Sequence, residues 1–378
     1  MSSCHLLKLL TDLGSFRWAE CQVVALVENA KSEADIKKSL STISPSLEGL
    51  YTASLLATRP SDRHYLKSAL LWLTFAVKPL HLTEVSEAMI FTGASSSIDP
   101  TQRLFLDEAE DILRSCRMLI SYNADSKYAS LAHSSVQQYL VSEQHRSSPA
   151  GFFHFDKAED LCALSCLSVD YLNMTCFASG YCASSKDVHE RFREWPLLEY
   201  VSIAWPVYVK VMSWPLSSTR QRTEAALLKF FQSAHRPHGG NFGSWVQVYI
   251  PRHLNVNQSL SQPLYYAARS GLVEVVKMIL RVEVKNMLEL RGGSRGSTAL
   301  HAACAFGHTE AVQLLLEEGA NPNERNEYGE RGIEWAEMYG YEDILELLLE
   351  YGASPVGQEG LDRLTTRFKA KSGGSDNS

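Results

Sequence analysis

Apolar and small residues recur along the last third of the chain at a fixed offset. Leu264, Ala267, Ala268 and Gly271 return as Leu300, Ala303, Cys304 and Gly307, and again as Ile333, Ala336, Glu337 and Gly340. The glycines stand 36 and then 33 residues apart, and Gly319-Ala320-Asn321-Pro322 returns after 33 residues as Gly352-Ala353-Ser354-Pro355. A period near 33 is that of a stacked array of helix pairs. Each unit is predicted to hold a short helix, a turn at glycine and a second helix. In the middle unit Ala302, Ala303 and Ala305 keep the first helix thin and Gly307 supplies a left-handed turn. Val312, Leu315 and Leu316 then form the buried stripe of the second helix.

Upstream the same periodicity predicts a helix over residues 16–29, with Phe16, Ala19, Val23 and Leu26 on one face, a second opening at Ser32, and a third carrying Leu47, Leu50, Tyr51 and Leu55. Residues 65–75 read as a strongly apolar helix that stops before Pro79. A short extended stretch over 80–82, a helix capped by Thr83 and a Gly/Ser loop over 93–97 follow. After a helix over 107–116, two runs at 118–122 and 128–132 flank Asn123-Ala124-Asp125-Ser126-Lys127 as a β-hairpin. Helix, helix, hairpin is the order of a winged helix.

From 156 to 231 the pattern is helical, with joints expected at Gly180, Pro196, Pro206 and Pro215, and residues 234–243 read as a Pro/Gly/His-rich linker. The expected fold class is mainly α. Its parts are a helical segment at 1–60, a winged-helix region at 61–148, a helical domain at 149–233, a linker at 234–262, about three repeats at 263–355 and a disordered tail at 356–378. Three repeats are close to the minimum for a stable stack, so both ends need cover. Glu334, Glu337, Glu342, Asp343, Glu346 and Glu350 suit the last repeat to face water. No such cap precedes Pro263, so the first repeat is expected to pack on the region before it.

Composition narrows the setting. Eight cysteines lack a framework spacing, and residues 1–10 lack a basic leader and place Lys8 inside their apolar run, so the thiols read as reduced and intracellular. Cytoplasm is the expected location, with the nucleus also compatible. Asn173-Met174-Thr175 and Asn257-Gln258-Ser259 read as chance matches to a glycosylation pattern. No uncharged apolar run reaches spanning length. The net charge is −7, and residues 263–355 hold that whole excess, with eight Lys/Arg against fifteen Asp/Glu. Such an array disfavours nucleic acid and anionic membrane as partners.

Thr298-Ala299-Leu300-His301-Ala302-Ala303-Cys304-Ala305-Phe306-Gly307-His308 resembles the signature of ankyrin repeats, T-P-L-H-x-A-A-x-x-G-H. The flanking units depart from it, with Tyr265 and Glu334 at the histidine position. The resemblance implies that His301 holds a turn by hydrogen bonding to Thr298. Phe16-Arg17-Trp18-Ala19, Leu71-Trp72-Leu73, Lys78-Pro79-Leu80, Asp111-Ile112-Leu113 and Leu131-Ala132-His133-Ser134-Ser135-Val136-Gln137-Gln138-Tyr139-Leu140 form a second set. They are similar to the winged-helix region that follows the NACHT nucleotide-binding domain in fungal signalling ATPases, a family also labelled after GPI inositol-deacylase. Several such proteins end in ankyrin repeats. The nucleotide loop of those ATPases, G-x-x-x-x-G-K-[ST], does not occur here, so no nucleotide switching carries over.

No catalytic residue, cofactor or metal is expected. Gly292-Gly293-Ser294-Arg295-Gly296 fits the esterase pattern G-x-S-x-G by letters, but it falls in a connection between repeats rather than between strand and helix. Cys162, Cys166, Cys176 and Cys182 fall among leucines where thiols pack as small apolar groups, and His235 and His238 sit in the presumed linker. His133 reads as a capping histidine. DNA reading by the helix after residue 106 is opposed by Asp107, Glu108, Glu110 and Asp111 against Arg114 and Arg117.

The leading expectation is a non-enzymatic scaffold that binds a protein partner, of unknown identity, through the ankyrin groove. The contact residues expected are Arg291, Arg295, Ser297, Phe306, His308, Glu327, Tyr328, Arg331, Trp335 and Tyr339, with packing between repeats as the equal alternative for Phe306 and Trp335. Rival readings are a fragment of a NACHT-type ATPase, an accessory protein or cryptic enzyme of a fungal metabolite pathway, and a winged-helix DNA regulator. Oligomeric state is not legible.

Overall fold

The computed structural model describes Ser32, residues 46–93, Ile98, residues 103–249, 262–282 and 287–355, and Gly357. The helices expected over 16–29 and from Ser32, most of the loop at 93–97 and nearly all of the tail lie outside the described residues. The chain is mainly helical and divides into two compact units, Met1–Thr92 with Ile98–Asp160, and Gly93–Ser97 with Leu161–Ser378.

In the first unit α1 (Leu47–Ala57) begins where Ser46 accepts from the Gly49 amide at 3.1 Å and buries Leu50, Tyr51 and Leu55. Helix α2 (Arg63–Thr74) buries Leu66, Leu70, Trp72 and Leu73, and β1 (Leu80–His81) follows. Helix α3 (Leu82–Ile90) is capped by His81 rather than Thr83. The His81 ring accepts from the Thr83 amide, and Glu84 reaches back to the His81 amide at 2.6 Å.

Helix α4 (Leu106–Arg114) leads into the hairpin of β2 (Ile120–Asn123) and β3 (Tyr128–Leu131). Its turn is held by the Asn123 carboxamide oxygen, which accepts from Asp125 and Ser126 amides. The three strands pair antiparallel in the order β1–β3–β2, with Leu80 opposite Ala129 and Ile120 opposite Leu131.

Helix α5 (Ser134–Leu140) explains the longest of the sequence motifs. The His133 ring caps it by accepting from the Ser135 amide at 3.1 Å. Ser135 and Tyr139 hydroxyls meet Tyr51 and Thr52 of α1 at 3.0 and 2.7 Å, and Gln137 donates to the Thr74 carbonyl at the end of α2. Val136 and Leu140 go to the core. Each letter of the motif that faces inward is therefore spent on packing. A short α6 (Glu143–Arg146) follows.

The division between units falls within α7 (Lys157–Leu172), which carries Leu161, Cys162, Leu164, Cys166 and Val169 inward. The second unit continues with α8 (Ser185–Glu194), α9 (Leu197–Val211), α10 (Ser218–Gln232) and α11 (Gly240–Tyr249). Two of the expected breaks are absent. Pro206 lies inside continuous α9, where proline leaves the carbonyl four residues back without a donor. Trp245 of α11 fills that vacancy, its indole N–H donating to the Ser202 carbonyl at 3.0 Å. Residues 234–249 are likewise no linker. Two 3-10 turns, Ser233–His235 and Pro237–Gly239, lead into α11, whose Phe242, Trp245 and Val246 are buried. Asn241 fixes it further by donating to the Leu172 and Met174 carbonyls.

The repeats follow as three helix pairs: α12 (Pro263–Arg269) with α13 (Val273–Val282), α14 (Ala299–Ala305) with α15 (Thr309–Glu317), and α16 (Gly332–Tyr339) with α17 (Glu342–Glu350). Inner helices α12, α14 and α16 lie side by side, as do α13, α15 and α17. Gly271, Gly307 and Gly340 adopt φ of 66°, 72° and 72°, the left-handed turn their positions demand. The side chain after each turn glycine covers the glycine one repeat earlier: His308 lies over Gly271 and Tyr341 over Gly307. Among the described residues nothing lies within 4 Å of the corresponding position at Gly340. At the other end the first repeat is covered, because Tyr266 packs edge-on against Phe242 and Trp245 at 5.7 and 5.5 Å. That aromatic cluster continues through Trp205, Phe230 and Phe231, and aromatic pairs of this kind add to the area they bury.

Candidate functional site

The turn tips of the second and third repeats and the outer ends of α14 and α16 form the candidate partner-binding face. The first tip, Gly292 to Ser297, closes on itself by paired backbone bonds of 2.8 Å between those two residues, with a left-handed Gly296. The G-x-S-x-G letters are thus a hairpin tip, and no strand-to-helix elbow exists there. The second tip is built on Asn326, whose side-chain oxygen accepts from the Tyr328 and Glu330 amides while its amide group donates to the Glu330 carboxylate. The two tips are joined where the Glu327 amide donates to the Arg295 carbonyl at 3.1 Å.

The ten expected contact residues separate into groups. Arg291, Phe306, Glu327, Tyr328 and Tyr339 are exposed, the three aromatics at 43–45%. Arg295 and His308 are half-buried and committed inward. Arg295 pairs with Glu330 at 3.1 Å and stands over the rings of Trp335 and Tyr328 at 4.9 and 5.8 Å, and the His308 ring meets the Arg269 carbonyl at 3.0 Å. Arg291 pairs with Glu324.

Ser297, Arg331 and Trp335 are buried, against the expectation that they reach a partner. Arg331 pairs with Glu334 at 3.3 Å and donates to the Ser354 carbonyl at 2.8 Å, tying the third inner helix to the turn beyond it. A buried guanidinium is retained only where such partners replace water. Glu334 is accordingly part of the interior and not of the polar end cap.

The capping pairs show how the repeat tolerates its altered letters. In α14 the Thr298 amide and hydroxyl both meet His301 Nδ1, at 3.2 and 2.8 Å. An amide can only donate, so Nδ1 is the acceptor and Nε2–H donates to the Glu330 carbonyl at 3.0 Å. Burial lowers the His301 pKa and favours this neutral ring. In α16 Arg331 and Glu334 take the same two positions and do the same work as an ion pair. His301 is thus structural. Sequence reasoning missed Arg269, whose guanidinium lies 4.1 Å over Phe306, and Asn326 and Glu330. The Asn326-to-Gly329 turn letters were the available signal.

Elsewhere the candidate chemistry is occupied. Cys162 lies 3.4 Å from Thr223, and the Cys166 thiol faces Asp170 and is pushed up to about 12 by burial. No group of three or more metal-ligating side chains gathers among the described residues. On α4, Glu110 takes up both nearby cations, Arg114 at 2.5 Å and Lys127 at 3.1 Å, and accepts from the Tyr122 hydroxyl. Among the described residues no helix is long and apolar enough to cross a membrane.

Comparison with known proteins agrees with the repeat geometry. Residues 264–358 match the model of ankyrin repeats, in three copies. A longer similarity, 27% identity over 272 residues, is to the azaphilone pigments biosynthesis cluster protein L of Monascus ruber and covers 66% of this chain. Oxysterol-binding protein-related protein 1 of Rattus norvegicus is 39% identical over 79 residues, 19% of this chain, and probable E3 ubiquitin-protein ligase XBOS32 of Oryza sativa subsp. japonica is 44% identical over 61, or 16%. The chain spans 54% of the Monascus protein, 8% of the rat protein and 12% of the rice protein. The C-terminal region of this chain is therefore an array of ankyrin repeats.

Proposed function

We propose that the protein is a non-enzymatic scaffold that binds another protein through the exposed aromatics of its ankyrin face. The observation that carries this is Phe306, Tyr328 and Tyr339 standing more than two-fifths exposed on tips and helix ends that internal bonds hold rigid. Rigid exposed aromatics are the groups that anchor protein interfaces. Affinity capture with the full chain tests it. A triple Phe306→Ala, Tyr328→Ala, Tyr339→Ala variant loses the proteins that wild type retains, whereas Glu342→Gln, Glu346→Gln, Glu350→Gln on outer helix α17 keeps them. Equal capture by both variants refutes the reading.

The first unit supports a second statement, that this chain corresponds to the C-terminal part of a NACHT-type protein. We read its order α2–β1–α3–α4–β2–β3 and its sheet order β1–β3–β2 as a winged helix, which supports this statement. With Arg114 and Lys127 both engaged by Glu110 and with Asp107, Glu108 and Asp111 on the same helix, the module serves packing better than DNA. Reading the transcript 5′ of Met1 tests the statement: an in-frame G-x-x-x-x-G-K-[ST] segment supports it, and stop codons in every frame count against it. The name of the Monascus relative adds support for a place beside a fungal biosynthetic pathway.

A further inference from the structure

We infer that the partner segment taken by the ankyrin face is basic, and that arginine side chains carry the contact. The inference rests on the scaffold reading above and adds the chemistry of the partner.

Charge pairing within the array points to it. Among the described residues every cation on the tips and inner helices is already engaged: Arg269 on Phe306, Arg291 with Glu324, Arg295 with Glu330, Arg325 on the Gly329 carbonyl and Arg331 with Glu334. The carboxylates are in surplus. Glu327, beside Tyr328 on the second tip, is exposed, as is Glu337 on inner helix α16. The surface thus offers a partner aromatic faces and negative charge.

The rings themselves favour guanidinium. The chain sets Arg269 over Phe306 at 4.1 Å and Arg295 over Trp335 and Tyr328 at 4.9 and 5.8 Å, within the range where a cation is attracted to a ring face. Tyr339, 44% exposed and stacked nearly parallel with Trp335 at an interplanar angle of 23°, extends that surface outward. Arginine side chains arriving on this face find exposed tyrosine rings to stack on and, beside Tyr328 on the second tip, Glu327 to pair with, and guanidinium does both better than ammonium. Glu327 and Glu337 on this face draw a basic segment in and turn an acidic one away.

Fluorescence anisotropy with the full chain tests this, using a short fluorescein-labelled peptide that alternates Arg and Ser, with Lys-for-Arg and Glu-for-Arg counterparts. The Arg peptide is expected to bind about fivefold more tightly than the Lys peptide and the Glu peptide not at all. Glu327→Gln with Tyr339→Leu should weaken the Arg peptide about tenfold, and the α17 triple variant by less than about twofold. Binding of the Glu peptide, no binding of the Arg peptide, or an equal loss in the α17 variant overturns the inference. If the aromatic triple variant still abolishes capture of a partner while these peptides fail, the scaffold reading stands and only the basic partner falls.

Discussion

Trp245 donates its indole N–H to the carbonyl of Ser202, the group that Pro206 leaves without an intrahelical donor. The same indole packs on Tyr266 of the first repeat. One side chain thus repairs a proline inside α9 and seals the start of the array.

Replacing the indole N–H should expose that dependence. Trp245→Phe keeps most of the packing but leaves a buried carbonyl unsatisfied, at a cost of about 1–3 kcal/mol. In a Pro206→Ala background the helix regains its own donor, so the same substitution should cost about 1 kcal/mol less. Denaturant midpoints of the four variants measure the coupling. Equal costs in both backgrounds would show that the hydrogen bond contributes nothing.

The capping pair of α14 gives a second expectation. His301→Ala removes the acceptor for the Thr298 amide and the donor to the Glu330 carbonyl, and should destabilise the array by about 2–3 kcal/mol. Thr298→Ala should cost about 1 kcal/mol. Helical signal at 222 nm followed through thermal unfolding reports both.

Arg331 and Glu334 substitute an ion pair for that threonine and histidine. Arg331→Ala strands a buried carboxylate and should cost at least about 3 kcal/mol. Installing Arg331→Thr together with Glu334→His should cost less than Arg331→Ala alone, because it rebuilds the cap although it gives up the bond to Ser354. A double variant less stable than Arg331→Ala would show that the Ser354 link outweighs the cap.

Acidification should loosen the first unit through His145. Its ring is wholly buried, lies 4.2 Å from Tyr139 and 6.2 Å from His154 by centroids, and titrates at about 4, chiefly because burial penalises the charged form. The unfolded chain takes up that proton near 6.5. Between those values the unfolded state binds more protons, so the stability present above about pH 6.5 is lost as pH falls toward 4. The loss is on the order of 2–3 kcal/mol. His145→Phe should remove this contribution, so that its stability relative to wild type rises as pH falls from about 6.5 toward 4, as urea titrations at stepped pH would record.

Legibility followed periodicity. The repeats were visible because a turn glycine, thin alanines and an apolar stripe recur at fixed offset, and the hairpin because Asn123 and its neighbours have turn chemistry. Helix α11 was hidden by Pro237 and two glycines at its entrance, although Phe242, Trp245, Val246 and Tyr249 have helical spacing. At the candidate face Phe306, Tyr328 and Tyr339 are exposed, while Arg331 and Trp335 are buried. A charged side chain is ordinarily a surface group, and only the neighbouring repeat supplies the partners that let Arg331 sink.

Local order along the chain determined which segments are helical, where the glycine turns fall and that three units stack, because these depend on steric and periodic preferences within a few residues. Tertiary structure alone decided which polar groups are spent internally. Pro206 became tolerable through Trp245, Arg331 became interior through Glu334 and Ser354, and the first repeat found its cover in Phe242 and Trp245. Each of these depends on groups far apart in sequence meeting where water is excluded, a condition that adjacency along the chain cannot encode.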